Sequence, residues 1–250
     1  MLIEQQIKQY SALNEWFKSP LGQYVAREFA QEIDAVAHLL KGNTLVQLGH
    51  YSDNLWLNSL NFKNKWLSFP KIEAGVDLPC SFNQIPIIRD SVDCIVVPLG
   101  LEPYNNSLSL IDEVDRILKP MGCVIFLSLN PWSLWGAAIK SRLFNCFAES
   151  SIKMRSPYEL NRVLLQRGYR QCSLTYFGYL PPINNNRVIK KLAVLNEIGK
   201  MIWPVPAGFY CYIAQKYEEI NPALVHETLE LSSIKDYNAP LQPVINQLFV

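Results

Sequence analysis

The pattern of apolar and polar positions is clearest across residues 90–136. The run at 94–99 is apolar and rich in β-branched residues, which is typical of a strand buried on both faces of a parallel sheet. Residues 108–118 then place apolar side chains at helical spacing and charged ones on the opposite face. Residues 119–122, which include Pro120, would end this helix, and 123–129 form a second apolar run. The pattern predicts strand, loop, helix and strand.

The rest of the chain continues this alternation. Ser156, Pro157 and Glu159 predict a capped helix start, and Gly168 its end. The other predicted strands cover residues 44–48, 65–69, 84–88, 172–180 and 207–216, and the other predicted helices cover 4–18, 21–40, 52–60 and 187–203. Strands that alternate with helices predict a doubly wound α/β fold, whose mostly parallel sheet binds ligands beyond its carboxyl ends.

Three short sequences carry a family resemblance. They are Asp-Ser-Val-Asp from Asp90, Glu-Val-Asp-Arg-Ile-Leu-Lys-Pro from Glu113 and Asn-Pro-Trp-Ser-Leu-Trp-Gly from Asn130. In this order they resemble the class I S-adenosylmethionine-dependent methyltransferases of the type 11 group, and the third resembles a bacterial branch of that group. The resemblance covers residues 43–217. It implies a Rossmann-like sheet of seven strands in the order 3-2-1-4-5-7-6, with S-adenosylmethionine as the cofactor.

The resemblance also implies a division of the chain. Residues 1–42 would form an N-terminal helical lid, because helices ahead of the first strand usually cover the active site in such enzymes; as plain packing, they would cap one sheet edge. Residues 43–217 would form the methyltransferase-like domain, with a helical insert at 181–206. Residues 218–250 lose sustained periodicity and contain three prolines, which predicts a loosely packed C-terminal tail.

The resemblance assigns the methionine part of the cofactor to the loop after the first strand. Gln47 stands where the family has an acidic residue, and Gly49 is what remains of a glycine-rich loop. The amide oxygen of Gln47 would accept a hydrogen bond from the cofactor's ammonium group without supplying a full charge. Tyr51 replaces a small residue, so the backbone would approach the ligand less closely.

Five further positions follow from the same resemblance. Phe69 would flank the ribose, at the end of the second strand, where the family has an acid. Ser81 would accept a hydrogen bond from the adenine amine, with Phe82 against the ring. Leu99 and Gly100 would form the inner wall. The lost acids and glycines leave two functions open: an atypical methyltransferase, or a catalytically inactive relative that serves as a binding or interaction module.

The substrate side is predicted from the loops beyond the fourth and fifth strands. Glu102 would orient a small or amphipathic acceptor, or else it is a solvated loop carboxylate. Asn130, Trp132 and Trp135 follow the fifth strand, where two indoles would line an aromatic or lipid-like acceptor or else anchor the packing. Methyl transfer needs alignment more than a fixed acid or base, so no catalytic residue is predicted.

Composition narrows the range of partners. The net charge is +1, but residues 140–200 hold eleven Lys and Arg against three acids, which indicates either a solvated basic face or contact with an anionic partner. The basic helix at 187–203 would allow a peripheral membrane contact, whereas no apolar run reaches the length of a membrane span. The sequence lacks a nucleic-acid motif, a metal-ligand spacing and a signal-peptide pattern, so we expect a cytoplasmic protein that binds no nucleic acid.

Overall fold

A computed structural model describes residues 2–51, 53–103, 108–148, 152–183 and 206–217. Its strands are β1 Thr44–Leu48, β2 Asn64–Phe69, β3 Leu78–Pro79, β4 Val92–Pro98, β5 Leu118–Leu129, β6 Tyr169–Phe177 and β7 Phe209–Lys216. Its helices are α1 Ile3–Phe17, α2 Pro20–Val36, α3 Leu108–Ile117, α4 Leu134–Lys140 and α5 Pro157–Leu165, with short 3-10 turns at Ala37–Leu39 and Leu55–Leu57. Most of the predicted insert, including the helix at 187–203, and the tail at 218–250 lie outside the described residues.

The described strands form one sheet in the order β3-β2-β1-β4-β5-β7-β6. The pairs from β3 through β5 are parallel, whereas β7 runs antiparallel to both β5 and β6. The predicted fold class and strand order are therefore confirmed. The chain proceeds from β1 to β2 on one side and reaches β4 on the other, so the strand order reverses between β1 and β4. This reversal is where open α/β sheets bind their ligands.

The centre of the sheet is held by rows of apolar partners. Val46, Ile95 and Val124 face one another across β1, β4 and β5, and all three are fully buried. A side chain of this kind contributes about 1.5–3 kcal/mol when it leaves water, so such rows stabilise the parallel register. β1 and β4 are buried at nearly every position, as continuous apolar runs indicate for strands that are covered on both faces.

Local sequence fixes two of the helix starts. Pro20 occupies the first turn of α2, and the Ser19 hydroxyl accepts a hydrogen bond from the Gly22 N–H at 3.1 Å. At α5 the predicted capping box is confirmed, because the side chains and N–H groups of Ser156 and Glu159 bond reciprocally at 3.2 Å. These bonds satisfy donors that a helix start otherwise leaves without partners.

Helices α1 and α2 cover one edge of the sheet, which we call the carboxyl edge because β1 to β5 end there. Phe17 of α1 contacts Tyr51, beyond β1, with ring centroids 5.1 Å apart. Phe29 of α2 contacts Phe177 and Phe209, at the end of β6 and the start of β7, at 5.6 and 5.5 Å. None of the described helices is long and apolar enough to cross a membrane.

The helix predicted at residues 52–60 is wrong, because Leu55–Leu57 forms only a 3-10 turn. Asn54 has a left-handed backbone with φ of 44°, and its side-chain oxygen accepts hydrogen bonds from the Tyr51 N–H and from Gln47. Asparagine tolerates this conformation when its side chain bonds locally. The backbone is therefore turned toward Gln47 and does not continue as a helix.

The strand predicted at residues 84–88 is also wrong, since the third strand is β3. Side chains of α3 bind the backbone of 84–88 in place of a neighbouring strand. The Glu113 carboxylate accepts from the Ile85 N–H at 2.9 Å, and the Arg116 guanidinium donates to the carbonyls of Ile85 and Ile87 at 2.6 and 2.8 Å. A segment whose backbone groups are already satisfied need not join a sheet.

The break predicted at residues 119–122 and the loop expected after β5 both need correction. β5 starts at Leu118, which pairs with Val92, so the strand takes in residues 119–122 through an irregular stretch where Met121 has φ of 63°. After β5 the chain forms the short helix α4, whose N-cap is Ser133. The serine hydroxyl accepts from the Gly136 N–H at 3.1 Å.

At the opposite edge of the sheet, a carboxylate on β4 forms hydrogen bonds with the start of β1 and with β5. Asp93 accepts hydrogen bonds from the N–H groups of Asn43 and Thr44 at 3.0 and 2.9 Å, and from the Lys119 ammonium at 2.7 Å. Burial opposes ionisation of this carboxyl, but the bonds from Lys119, Thr44 and Asn43 outweigh it and hold its pKa below the usual range. Ionised Asp93 therefore stabilises the folded state above pH 4.

We expect Asp93→Asn to lower the free energy of unfolding at pH 7 by about 1–2 kcal/mol, because the amide gives up charge-assisted bonds. The folded-state pKa is lowered, so the difference from the wild type should shrink as the pH falls below 4 and the wild-type carboxyl takes up a proton. Urea unfolding between pH 3 and pH 7 measures both effects. Asp34→Asn, on the exposed side of α2, is the control and should change stability by less than about 0.5 kcal/mol. A difference that stays constant with pH would contradict the assignment.

Candidate functional site

The predicted cofactor residues come from four neighbouring strands and meet at the carboxyl edge. Gly49 follows β1, Phe69 ends β2, Ser81 and Phe82 follow β3, and Gly100 follows β4. Parallel strands that end together bring their following loops into one crevice. That a ligand contacts these residues stays a prediction. The contacts that each residue makes within the fold show which of its atoms such a ligand could reach.

The Gln47 side chain is fully buried and bonded on both of its polar atoms. Its Nε2 donates to the Gly49 carbonyl at 2.8 Å and to the Asn54 side chain at 2.6 Å, and its Oε1 accepts from the Trp56 indole N–H at 2.6 Å. An amide inside the protein needs such partners, since a buried polar group without them costs about 1–3 kcal/mol. Gln47 therefore holds the loop after β1 together.

The Tyr51 ring lies directly over Gly49. Gly49 has φ of 105°, and a Cβ atom at this position would overlap the Tyr51 ring. Tyr51 is 1% exposed and also packs against Trp56, with ring centroids 6.3 Å apart. The pocket beside it, lined in part by Phe17 and Asn54, has a volume of about 20 Å³, which is room for no more than about one water molecule. The space beyond β1 is thus filled by an aromatic side chain.

The region beyond β3 is covered by α1. The Gln6 side chain donates to the Ser81 hydroxyl at 2.9 Å and accepts from the Phe82 N–H at 3.0 Å. Tyr10 packs edge-on against Phe82, with ring centroids 4.8 Å apart, and its hydroxyl donates to the Gly100 carbonyl at 2.9 Å. Ser81, Phe82 and Gly100 are brought together, but the atoms predicted to meet an adenine contact α1.

Phe69 and Leu99 are both fully buried. Leu99 has φ of 48°, and its N–H donates to the Leu127 carbonyl at 2.7 Å, which ties the loop after β4 to β5. A left-handed backbone at a branched residue is strained, and such strain persists where surrounding packing holds it. Leu99 thereby fixes the path of the chain into Gly100.

Glu102 is 1% exposed, so the alternative of a solvated loop carboxylate is wrong. Its Oε1 accepts from the Leu129 N–H at 2.8 Å, which joins the loop after β4 to the end of β5. Burial raises the pKa of this carboxyl to about 7, although hydrogen bonds from backbone N–H groups, that of Leu129 first among them, oppose the shift. The same carboxyl helps to raise the pKa of Cys146, after burial itself.

The two indoles beyond β5 have opposite environments. Trp135 is 2% exposed, donates to the Leu180 carbonyl at 2.6 Å and packs against Phe209 at 4.8 Å, so it anchors the packing. Trp132 is 76% exposed, with the Lys140 ammonium 5.8 Å from its ring centroid. Asn130 is buried, and its side chain binds the Ala207 carbonyl and the Trp132 N–H at 3.0 and 3.1 Å.

The residues that contact the predicted positions include some that were not predicted from the sequence: Gln6, Tyr10, Asn54 and Trp56. Gln6 and Gln9 did carry a signal, because both interrupt the apolar side of α1 that Tyr10, Leu13 and Phe17 continue. A polar residue within an apolar stripe indicates a buried hydrogen bond. Its partner could not be identified from spacing along the chain, since Ser81 lies 75 residues away.

Comparison with known proteins supports the fold class. No family model and no curated protein sequence matches the chain. Among solved structures, it is similar to an S-adenosylmethionine-dependent methyltransferase from Thermotoga maritima, with a TM-score of 0.57 and 18% identity over 81% of this chain and 93% of that one. A second such methyltransferase, from Archaeoglobus fulgidus, has a TM-score of 0.54 and 15% identity, over 76% of this chain and 94% of that one. The architecture is the Rossmann-like fold of class I methyltransferases.

S-adenosylmethionine is the cofactor of these structural neighbours, and the described residues fit it in part. Next to β3, the Ser81 hydroxyl and the Phe82 N–H would hold the edge of an adenine base once α1 is displaced. Next to β1 they do not fit: Tyr51 fills the space over Gly49, and both polar atoms of Gln47 are engaged within the fold. Binding of such a cofactor would therefore require a different arrangement of α1 and Tyr51.

The raised pKa of Glu102 predicts a pH dependence of stability. Between pH 4.5, the ordinary pKa of glutamate, and about pH 7, the folded protein keeps a proton that the unfolded chain releases. The free energy of unfolding should therefore fall as the pH rises through this window, by up to about 1.4 kcal/mol per pH unit. Glu102→Gln keeps an acceptor for the Leu129 N–H and does not titrate. Its free energy of unfolding relative to that of the wild type should therefore increase from pH 4.5 to pH 7 and then level off.

Urea unfolding at pH 4.5, 5.5, 6.5 and 7.5 provides the measurement. Glu73→Gln, which alters an exposed ion pair with Lys71, is the control and should follow the wild type across the series. Parallel curves for the wild type and Glu102→Gln would show that Glu102 titrates with an ordinary pKa.

Proposed function

We propose that the protein is a methyltransferase that transfers a methyl group from S-adenosylmethionine to a small or amphipathic acceptor. It would bind the cofactor at the carboxyl edge after α1 and Tyr51 move aside. The cofactor supplies an activated methyl group, and the chain supplies binding and alignment. Direct transfer requires that the acceptor lie in line with the methyl group, so positioning contributes more than any acid or base.

The observation that supports this proposal is the pair of groups beside Phe82. The Ser81 hydroxyl and the Phe82 N–H point to the same place, and a planar carboxamide from Gln6 already meets both of them. They follow β3, the edge strand of the sheet, and Tyr10, which packs against Phe82, donates to the Gly100 carbonyl just after β4, where the strand order reverses. A donor and an acceptor beside an aromatic ring suit a purine base.

The chain's own residues would act in three ways. Ser81 and Phe82 would orient the base, and the apolar residues Phe69 and Leu99 would exclude water from the sugar side. Glu102 is held beneath the edge by the Leu129 N–H and would set the position of the loop that approaches the acceptor. Exposed Trp132 and Leu134, beyond β5, would suit the apolar part of an amphipathic acceptor.

A binding experiment tests the proposal. We call the structure with α1 against the carboxyl edge and Tyr51 over Gly49 the closed arrangement. We expect the wild type to bind S-adenosylmethionine and S-adenosylhomocysteine weakly, because Tyr51 occupies the space over Gly49 in this arrangement. Tyr51→Ala should raise the affinity at least about tenfold, since the ring need no longer be displaced. It should also lower the free energy of unfolding by about 3–5 kcal/mol, as for other large buried aromatic truncations. Isothermal titration calorimetry and urea unfolding measure the two effects.

The matched control is Tyr169→Ala. This ring is also buried, but it lies at the start of β6, on the opposite edge of the sheet. The control should lose stability without any gain in affinity. If neither the wild type nor Tyr51→Ala gives heat at millimolar S-adenosylhomocysteine, the methyltransferase proposal is contradicted.

A second candidate function is supported by the filled crevice. The Gln47 contacts, the Tyr51 ring over Gly49 and the α1 contacts to Ser81 would together make a closed scaffold that binds a partner without catalysing methyl transfer. This candidate predicts that the wild type and Tyr51→Ala both fail to bind the cofactor. The calorimetry described above therefore separates the two functions.

A further inference from the structure

The inner side of α1 carries two glutamines where apolar residues are expected. Gln6 is fully buried and Gln9 is 2% exposed, beside the buried residues Tyr10, Leu13 and Phe17. A carboxamide placed inside a protein is unfavourable unless its donor and acceptor are both satisfied. Gln9 accepts from the Ala148 N–H at 3.1 Å. Gln6 reaches across the crevice to the loop after β3.

The contacts of Gln6 have a specific chemical pattern. Its Nε2 donates to the Ser81 hydroxyl at 2.9 Å, and its Oε1 accepts from the Phe82 N–H at 3.0 Å. A carboxamide thus presents a donor and an acceptor side by side in one plane. The edge of adenine presents the same pair, with the 6-amino group as donor and the neighbouring ring nitrogen N1 as acceptor. Both groups would therefore satisfy the same two protein atoms.

Tyr10 adds a second contact at the same place. Its ring meets Phe82 edge-on, 4.8 Å between centroids at an interplanar angle of 76°, and its hydroxyl binds the Gly100 carbonyl at 2.9 Å. The aromatic surface of Phe82 and the end of β4 are thereby covered together with the hydrogen-bonding groups. α1 occupies the atoms that would hold a base.

We propose that α1 is an internal competitor for an adenine nucleoside, in which the Gln6 carboxamide takes the place of the base edge. The inference rests on the proposed function, because it describes how that binding site is closed. Binding would require α1 to rise from the carboxyl edge, and the affinity for the ligand is reduced by the fraction of molecules that remain closed. Gln6 and Tyr10 set that fraction.

The base itself offers a sharp test. Adenosine matches the pair formed by Ser81 and Phe82. Inosine carries an oxygen at position 6 and a hydrogen on N1, so the Phe82 N–H would face another donor. The Ser81 hydroxyl adapts to either partner, but the backbone N–H does not. Two buried donors without an acceptor are unfavourable, so the site should discriminate against inosine about tenfold or more.

The experiment compares Gln6→Ala with Gln5→Ala in the full chain by isothermal titration calorimetry with adenosine and with inosine. Gln5 is the adjacent residue on α1 and is exposed, so both variants undergo the same substitution on the same helix. Gln6→Ala removes two bonds that hold α1 down, and we expect it to bind adenosine at least about tenfold more tightly than the wild type. Gln5→Ala should match the wild type. The affinity for inosine should increase little in either variant.

Gln6→Asn provides a second variant in case Gln6→Ala does not fold. Its side chain is one methylene shorter, so it cannot reach Ser81 and Phe82 together, yet it remains polar. An equal increase in affinity for adenosine and inosine would overturn the inference, because it would show that the exposed site does not recognise the hydrogen-bonding edge of the base. No gain for adenosine in either Gln6 variant would also overturn it.

These outcomes are distinct from those that bear on the proposed function. If Gln6→Ala binds adenosine selectively but Tyr51→Ala and the wild type bind no S-adenosylhomocysteine, the competitor inference stands and the methyltransferase proposal fails. If the wild type binds S-adenosylmethionine and Gln6→Ala binds adenosine no more tightly, the proposal stands and the inference fails.

Discussion

The packing of α1 and α2 against the carboxyl edge is the contact on which the rest of the site depends. Phe17 of α1 contacts Tyr51 and Trp56, and Phe29 of α2 contacts Trp56 and Phe209. Large aromatic side chains bury much area, and the two Phe29 contacts have the edge-to-face geometry that such rings prefer. Because the rings come from both helices, from the loop after β1 and from β7, the state of the crevice is coupled to the position of the helices.

Three neutral amides make buried polar contacts at this edge. Gln47 and Asn54 satisfy each other and further groups of the loop after β1, whereas Gln6 satisfies groups of the loop after β3. An acidic residue at position 47 would repel the Asn54 oxygen and would lack the protons that Gly49 and Asn54 accept. The amide network and the covering helix are thus mutually consistent, and both favour the closed arrangement. A ligand at this edge would have to compete with these hydrogen bonds.

Prediction from sequence succeeded where local chemistry and apolar pattern agree. The apolar runs gave β1, β4 and most of β5, the capping box gave α5, and the family resemblance gave the strand order. For the third strand it failed, because long-range contacts replace local ones there. Residues 84–88 look like a strand, but Glu113 and Arg116 of α3 bind their backbone. β3 is too short to produce an alternating pattern.

The sequence by itself determined the fold class, because burial on both faces of parallel strands imposes continuous apolar runs that can be recognised without a structure. It also determined which loops meet at the carboxyl edge, since parallel strands end together. Only the tertiary structure decided what fills that edge. Gln6 and Ser81 are 75 residues apart, and Tyr51 covers Gly49 through a turn that no periodicity predicts. Contacts between distant segments depend on packing in three dimensions, which the spacing of residues along the chain does not encode.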